Sequence, residues 1–214
     1  MSFAIDTFHK ERFGLVTGSK CGVLFPMKGD GAKGQTTYAK QLAKELFFQT
    51  YDEVSTWEIE HGKMAEHFAF AHYNERIDKR IEPGSWIRKG NCGGTIDALI
   101  PKVKGVDFKA PTTLDKWLEY LYEGIDKQQE CQCRMYMYLT ELPEWEIAAY
   151  LTETEKMTNN GLTYPIEEAD RMIRITVTRD LEWEKALELV TPSVIAIRDK
   201  YVKILEQRFK RIAA

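Results

Sequence analysis

Asp97, Asp107 and Lys109 are the residues of this chain whose types and spacing can do chemistry together. They lie within GGTIDALIPKVKGVDFKAP, which reads as two short strands, Gly94–Ile100 and Val103–Lys109, with a turn around Pro101–Lys102 and Pro111 ending the second. Residues two apart share one face of a strand, so Asp107 and Lys109 point the same way. If the strands pair as a hairpin, Asp97 comes to lie beside Asp107. Two neighbouring carboxylates repel, and one would take up a proton unless a cation neutralised both. Oxygen donors of this kind suit Mg²⁺ or Mn²⁺ and leave positions for water and phosphate oxygens. A lysine beside such a cation can hold the attacking water and offset charge on a phosphoryl transition state. A lone Asp-x-Lys is usually a solvated strand edge. The upstream Asp97, the hairpin and the closing proline together turn the reading towards a metal-dependent hydrolase.

The surrounding elements must position these groups. Thr37 can cap a helix running to about Gln49, and a second helix is predicted from Thr56 to Asn74. Ser85–Lys89 reads as a further strand. Helical periodicity returns at Leu114–Tyr122 and from Asp126 to Leu139. Trp145–Leu151 and Met172–Thr178 read as strands, and Leu181–Arg211 as a long charged helix with Pro192 as a place to bend. The stretch PMKGDGAKGQ, from Pro26 to Gln35, reads as an exposed loop. This order gives an α/β chain, a small central mixed β-sheet flanked by helices, with residues 1–214 as one domain.

The totals exclude little. The chain has 214 residues, 43% hydrophobic and 29% charged, within the range of soluble globular proteins. No apolar run is long enough to span a membrane, and the opening residues MSFAIDTFHKERFG lack the uninterrupted apolar stretch expected of a secretory signal. Cys21, Cys92, Cys131 and Cys133 form no disulfide framework, which fits a reducing, cytoplasmic setting. A net charge of −3 does not decide against DNA, because a nuclease needs acids at its metal and can confine basic residues to one groove.

On these motifs the chain resembles the phage lambda-type exonucleases, also called YqaJ-like viral recombinases, of the PD-(D/E)XK nuclease superfamily. Asp97 stands at that family's first metal-binding Asp and Asp107-Phe108-Lys109 at its Glu/Asp-x-Lys motif. Gly62-x-x-x-Glu66 resembles the helix that reaches the same metal, with Gly62 opening room one turn before Glu66. Gln132, followed by MYMYLT, resembles the family's glutamine helix. Arg12-Phe13-Gly14 with Thr17-Gly18-Ser19, and Gly161-Leu162-x-Tyr164, extend the likeness from Glu11 to the final helix. Ile96 stands where the family name has proline, and Asp107 where lambda-type enzymes carry glutamate.

The resemblance implies a PD-(D/E)XK nuclease-like fold and a Mg²⁺-dependent 5′→3′ exonuclease on double-stranded DNA ends. Such an enzyme releases 5′-mononucleotides and leaves 3′ overhangs for single-strand annealing. Asp97, Asp107, the Phe108 carbonyl and Glu66 would bind the metal; Lys109 and Gln132 would orient water. Arg12, Ser19 and Thr95, the last two residues from Asp97 on the same strand face, would hold the 5′-phosphate. A homotrimer and an annealing partner are implied as well. The alternatives are an endonuclease or structure-specific nuclease of the same superfamily, or a catalytically inactive DNA-binding protein.

Other signals carry less. Cys131-x-Cys133 is a poor zinc pair, and His61, His67 and His72 lack the i, i+4 spacing of a helical metal site. His9 has no evident partner. The glycine-rich loop lacks the Lys-Ser/Thr frame of a P-loop. Arg198, Lys200, Lys203, Arg208, Lys210 and Arg211 either solvate the last helix or track phosphates.

Overall fold

A computed structural model of the protein describes residues 11–25, 31–50, 57–152 and 164–209. His9, Pro26–Asp30, Thr56, Gly161-Leu162, Lys210 and Arg211 lie outside these residues. Strands β1 (Val16–Thr17), β2 (Glu82–Pro83), β3 (Trp86–Lys89), β4 (Cys92–Thr95), β5 (Ala98–Ile100), β6 (Lys104–Lys109), β7 (Glu144–Tyr150) and β8 (Met172–Thr178) are flanked by helices, five of which are α-helices within the described residues. These are α1 (Gly31–Phe48), α2 (Trp57–Arg76), α3 (Leu114–Tyr122), α4 (Lys127–Thr140) and α5 (Leu181–Arg208). A 3-10 helix, Gly18–Leu24, follows β1. None of the helices described is long and apolar enough to cross a membrane.

The expected mixed β structure flanked by helices is present and is built of two sheets, ordered β1-β4-β3 and β2-β5-β6-β7-β8. The expected strand Gly94–Ile100 divides between them, β4 in the first and β5 in the second, with Ile96 and Asp97 at the crossing. Backbone bonds from Ile96 N to Ser85 O and from Gly84 N to Asp97 O carry the chain across. The hairpin of β5 and β6 forms as predicted. Val103 N donates to Ile100 O, and Pro101 followed by a positive φ at Lys102 is the pattern of a type II turn. The expected loop at Pro26–Gln35 is also corrected, since α1 is helical from Gly31 rather than from Thr37. Tertiary contacts outweigh the poor helix propensity of its glycines. Gln35 Nε2 donates to Leu24 O, and the Thr36 hydroxyl donates to Ala32 O within the helix.

Strand alternation assigns the layers. Val106, Phe108, Ala148 and Tyr150 pack towards α2 with Ala69 and Tyr73. Trp145 and Ile147 pack on the other face, with Met135 and Tyr136 of α4 and Leu187 of α5. Parallel β6 and β7 are joined through α3 and α4, the crossover that a parallel pair requires. The start of α4 is fixed by a capping box between Asp126 and Gln129. Helix α5 continues through Pro192.

Candidate active site

The residue order of β6 decides which face the acids take. With Val106 and Phe108 turned to the α2 core, Asp107 and Lys109 turn to α4. Asp107 is 2% exposed, and Lys109 Nζ lies 2.6 Å from its Oδ2. From α4, Gln132 closes the arrangement. Its Oε1 accepts from Lys109 Nζ at 3.4 Å, and its Nε2 donates to Asp107 Oδ1 at 3.3 Å and to the Tyr136 hydroxyl at 2.9 Å. Asp97 arrives from the crossing between the sheets, where its Oδ2 accepts from Phe108 N at 2.8 Å. This bond anchors the upstream acid to the strand carrying the other two groups.

The charges are unbalanced. Burial, then the charges of Asp107 and Glu66, hold the Asp97 carboxyl well above the usual aspartate range; the Phe108 N–H and Lys109 only partly oppose this. Partial desolvation and the charge of Asp107 likewise raise the carboxyl of Glu66, an exposed residue of α2. Burial disfavours the Lys109 ammonium, but Asp107 and Asp97 outweigh it and its pKa rises. Asp97, Asp107 and Glu66 therefore repel one another, with the charge of Lys109 opposing that repulsion. Among the described residues, no group of three or more His, Cys, Asp or Glu side chains is placed to hold a metal ion. Asp97 and Asp107 are the two carboxylates here whose oxygens could serve a hard cation such as Mg²⁺, with waters and substrate oxygens completing its shell.

The three residues expected around a 5′-phosphate stand on separate elements. Arg12 lines a small pocket with Thr17, Lys20, Tyr38, Gln41 and Glu45. Glu45 is buried there and accepts from Gln41 Nε2 at 3.0 Å. Burial raises its carboxyl pKa, against the opposing effects of Gln41, Arg12 and Lys20. Ser19 lies in the 3-10 helix, and its carbonyl accepts from Gln128 Nε2, one turn before Gln132. Thr95 ends β4, exposed, and pairs in register with Trp86. The premise that Thr95 and Asp97 share a strand fails, because β4 stops at Thr95.

Sequence reading missed Tyr136, whose only signal was its spacing of four from Gln132, and the role of Arg198. Arg198, expected on a solvated or DNA-facing side, instead donates from Nη1 to Gly14 O at 2.6 Å. Gly14 itself has φ +73°, and a Cβ there would press on Leu46, so the turn requires glycine. Gly62 is different. A Cβ built on it meets nothing within 4 Å, so no packing contact within the described chain needs glycine in mid-helix. Gly62→Ala is therefore expected to stabilise the fold by about 0.5–1 kcal/mol. A denaturant midpoint that falls would show a contact that this space does not contain.

No family model and no curated protein matches the chain. Solved structures do. The alkaline exonuclease LHK-Exo from Laribacter hongkongensis is 16% identical with a TM-score of 0.74, over 94% of this chain and 96% of that one. The same enzyme in complex with dAMP gives 17% and 0.74 over the same shares. A phage related exonuclease from Haemophilus somnus 129PT is 15% identical with a TM-score of 0.67, over 92% of this chain and 96% of that one. The architecture expected from the active-site motifs is thus the one observed: over nearly its whole length, the chain has the fold of these exonucleases.

Proposed function

We propose that this chain is a divalent-metal-dependent exonuclease that degrades linear double-stranded DNA from its 5′ ends, releasing 5′-mononucleotides and leaving 3′ overhangs. The observation that carries this reading is the convergence of Asp97, Asp107, Lys109 and Gln132 in a fold shared with exonucleases. The 5′→3′ direction follows from the motif resemblance. So do a homotrimer around DNA and an annealing protein that takes up the exposed strand for recombination. Four unpaired, buried cysteines suit a reducing cytoplasm.

Asp97 and Asp107 would hold Mg²⁺ or Mn²⁺, with the Phe108 carbonyl and Glu66, the latter directly or through water. The bound metal supplies a Lewis acid and an activated water for phosphodiester hydrolysis. Lys109 and Gln132 orient the nucleophile, and the Lys109 ammonium offsets negative charge as the phosphorus becomes five-coordinate. Asp97 is kept beside β6 by the Phe108 N–H, so the two acids face one centre.

Arg12, Ser19 and Thr95 are proposed to hold the terminal phosphate. A 5′-labelled linear duplex incubated with Mg²⁺ or chelator tests the whole reading. Mononucleotide release in Mg²⁺ alone, with a closed circle spared, is expected; nicking of the circle would favour an endonuclease of the same superfamily. In the same assay, 5′-phosphorylated ends should be degraded much faster than 5′-hydroxyl ends. Arg12→Ala should erase most of that difference and Arg12→Lys should restore part, since lysine cannot form the paired hydrogen bonds of a guanidinium. Equal rates on both ends for the unmutated protein would remove Arg12 from this role.

Lys200 and Lys203 stay exposed on α5, in contrast to Arg198. If both touch phosphate, neutralising them lowers the slope of log affinity against log salt by roughly one to two. An unchanged slope assigns them to solvation of the helix.

A further inference from the structure

Tyr136 stands one helical turn beyond Gln132 and is 4% exposed. Its oxygen accepts from Gln132 Nε2 at 2.9 Å, whereas the bonds from that carboxamide to Asp107 and Lys109 are 3.3 and 3.4 Å. The shortest restraint on the glutamine is therefore the one to the phenol. The ring has little room to shift. A Cβ at Gly18 or at Gly94 would each come within 2.5 Å of the same carbon, Cε1, next to the carbon bearing the hydroxyl. Gly18 belongs to the 3-10 helix and Gly94 to β4, so two separate elements grip one ring edge. Trp145 closes the slot with ring centroids 5.1 Å apart. Burial, then the nearby charge of Asp107, raises the phenol pKa, so Tyr136 stays neutral and keeps its lone pairs for the glutamine.

We propose that Tyr136 is a positioning residue of the active centre, its ring edge seated against Gly18 and Gly94 so that its hydroxyl holds the Gln132 carboxamide with Oε1 towards Lys109 and Nε2 towards Asp107. The inference rests on the exonuclease reading of this site. It also accounts for two glycines by what they make room for.

The test is a double-mutant cycle on linear duplex in Mg²⁺ with Gln132→Ala, Tyr136→Phe and the double variant. Tyr136→Phe keeps the ring and deletes one oxygen. It is expected to fold normally, to lower kcat by roughly tenfold, the lower range for losing a supporting hydrogen bond, and to leave KM for DNA ends unchanged. In the Gln132→Ala background the same change should cost nothing further. In ¹⁵N-glutamine-labelled protein, the Gln132 side-chain amide signal should move on Tyr136→Phe. Should that variant fail to fold, Gly18→Ala, which pushes the ring edge with the hydroxyl intact, takes its place in the cycle. Losses that multiply, or a Tyr136→Phe enzyme at full rate beside a slow Gln132→Ala, overturn the positioning role and leave the exonuclease reading standing. A Gln132→Ala enzyme at full rate overturns both this role and the place of Gln132 in the centre.

Discussion

Asp97→Asn is expected to lower cleavage of linear duplex in Mg²⁺ by on the order of 10³-fold, at the upper end for one electrostatic group in a catalytic centre, while making the metal-free protein more stable at neutral pH. The amide oxygen can still accept from Phe108 N, so the anchor to β6 survives and only the charge is lost. Stability follows from linkage. The Asp97 pKa is raised in the folded chain by burial, Asp107 and Glu66. A raised carboxyl favours folding at low pH, and that contribution is lost as pH rises through its folded value. At neutral pH in chelator the aspartate therefore burdens the fold, and asparagine does not. The gap between variant and parent should close as pH falls into the ordinary carboxylate range. Added Mg²⁺ should reverse the order: a metal at a hundredfold excess over its Kd stabilises the parent by about 2.7 kcal/mol, and the variant by much less. Denaturation midpoints with chelator and with Mg²⁺ check both halves. A variant that cleaves at near-parental rate, or gains as much from Mg²⁺ as the parent, removes Asp97 from the metal site.

The pair Asp107 and Lys109 was legible because its geometry is local. Two residues apart in a β-strand means one face, and the ion pair between them follows from that alone. The turn at Pro101–Lys102 and the Asp126 helix start were legible for the same reason, each being fixed by a few neighbouring residues. The division of Gly94–Ile100 was hidden. Exposure still alternates through Gly94, Thr95, Ile96, Asp97 and Ala98, so the pattern of one strand continues across the break. Only the partners change, and partners are chosen by distant segments: β1 and β3 on one side, β2 and β6 on the other. The first turns of α1 were hidden by glycines that argue for a loop until the contacts with the 3-10 helix are known. Tyr136 was hidden because a buried tyrosine on an apolar helix face is ordinarily just core. Its role depends on what stands at positions 18 and 94, and no window along the sequence contains all three.

Lys109→Ala separates catalysis from metal binding, which the aspartate variants cannot do. The ammonium lies 2.6 Å from Asp107 Oδ2 and is held charged by Asp107 and Asp97 against its own burial. A metal that uses Asp107 must share that carboxylate with the lysine or shift it. Removing the lysine leaves both acids in place and relieves that competition, so metal affinity should be kept or improved. The chemical step should still slow by at least about 10²-fold, because the group proposed to orient water and offset transition-state charge is gone. Stability in chelator should move the opposite way to Asp97→Asn. Asp107, 2% exposed, loses its counterion, and a buried charge left alone costs on the order of 3 kcal/mol at most here, since the Lys109 side chain keeps 25% of its surface in solvent. Mg²⁺ should restore much of that loss by taking the place of the missing positive charge. The expected signature is thus a fold more dependent on metal and a turnover that excess metal does not rescue. Calorimetric loss of metal binding with turnover preserved at saturating metal would show that Lys109 supports the site rather than the reaction.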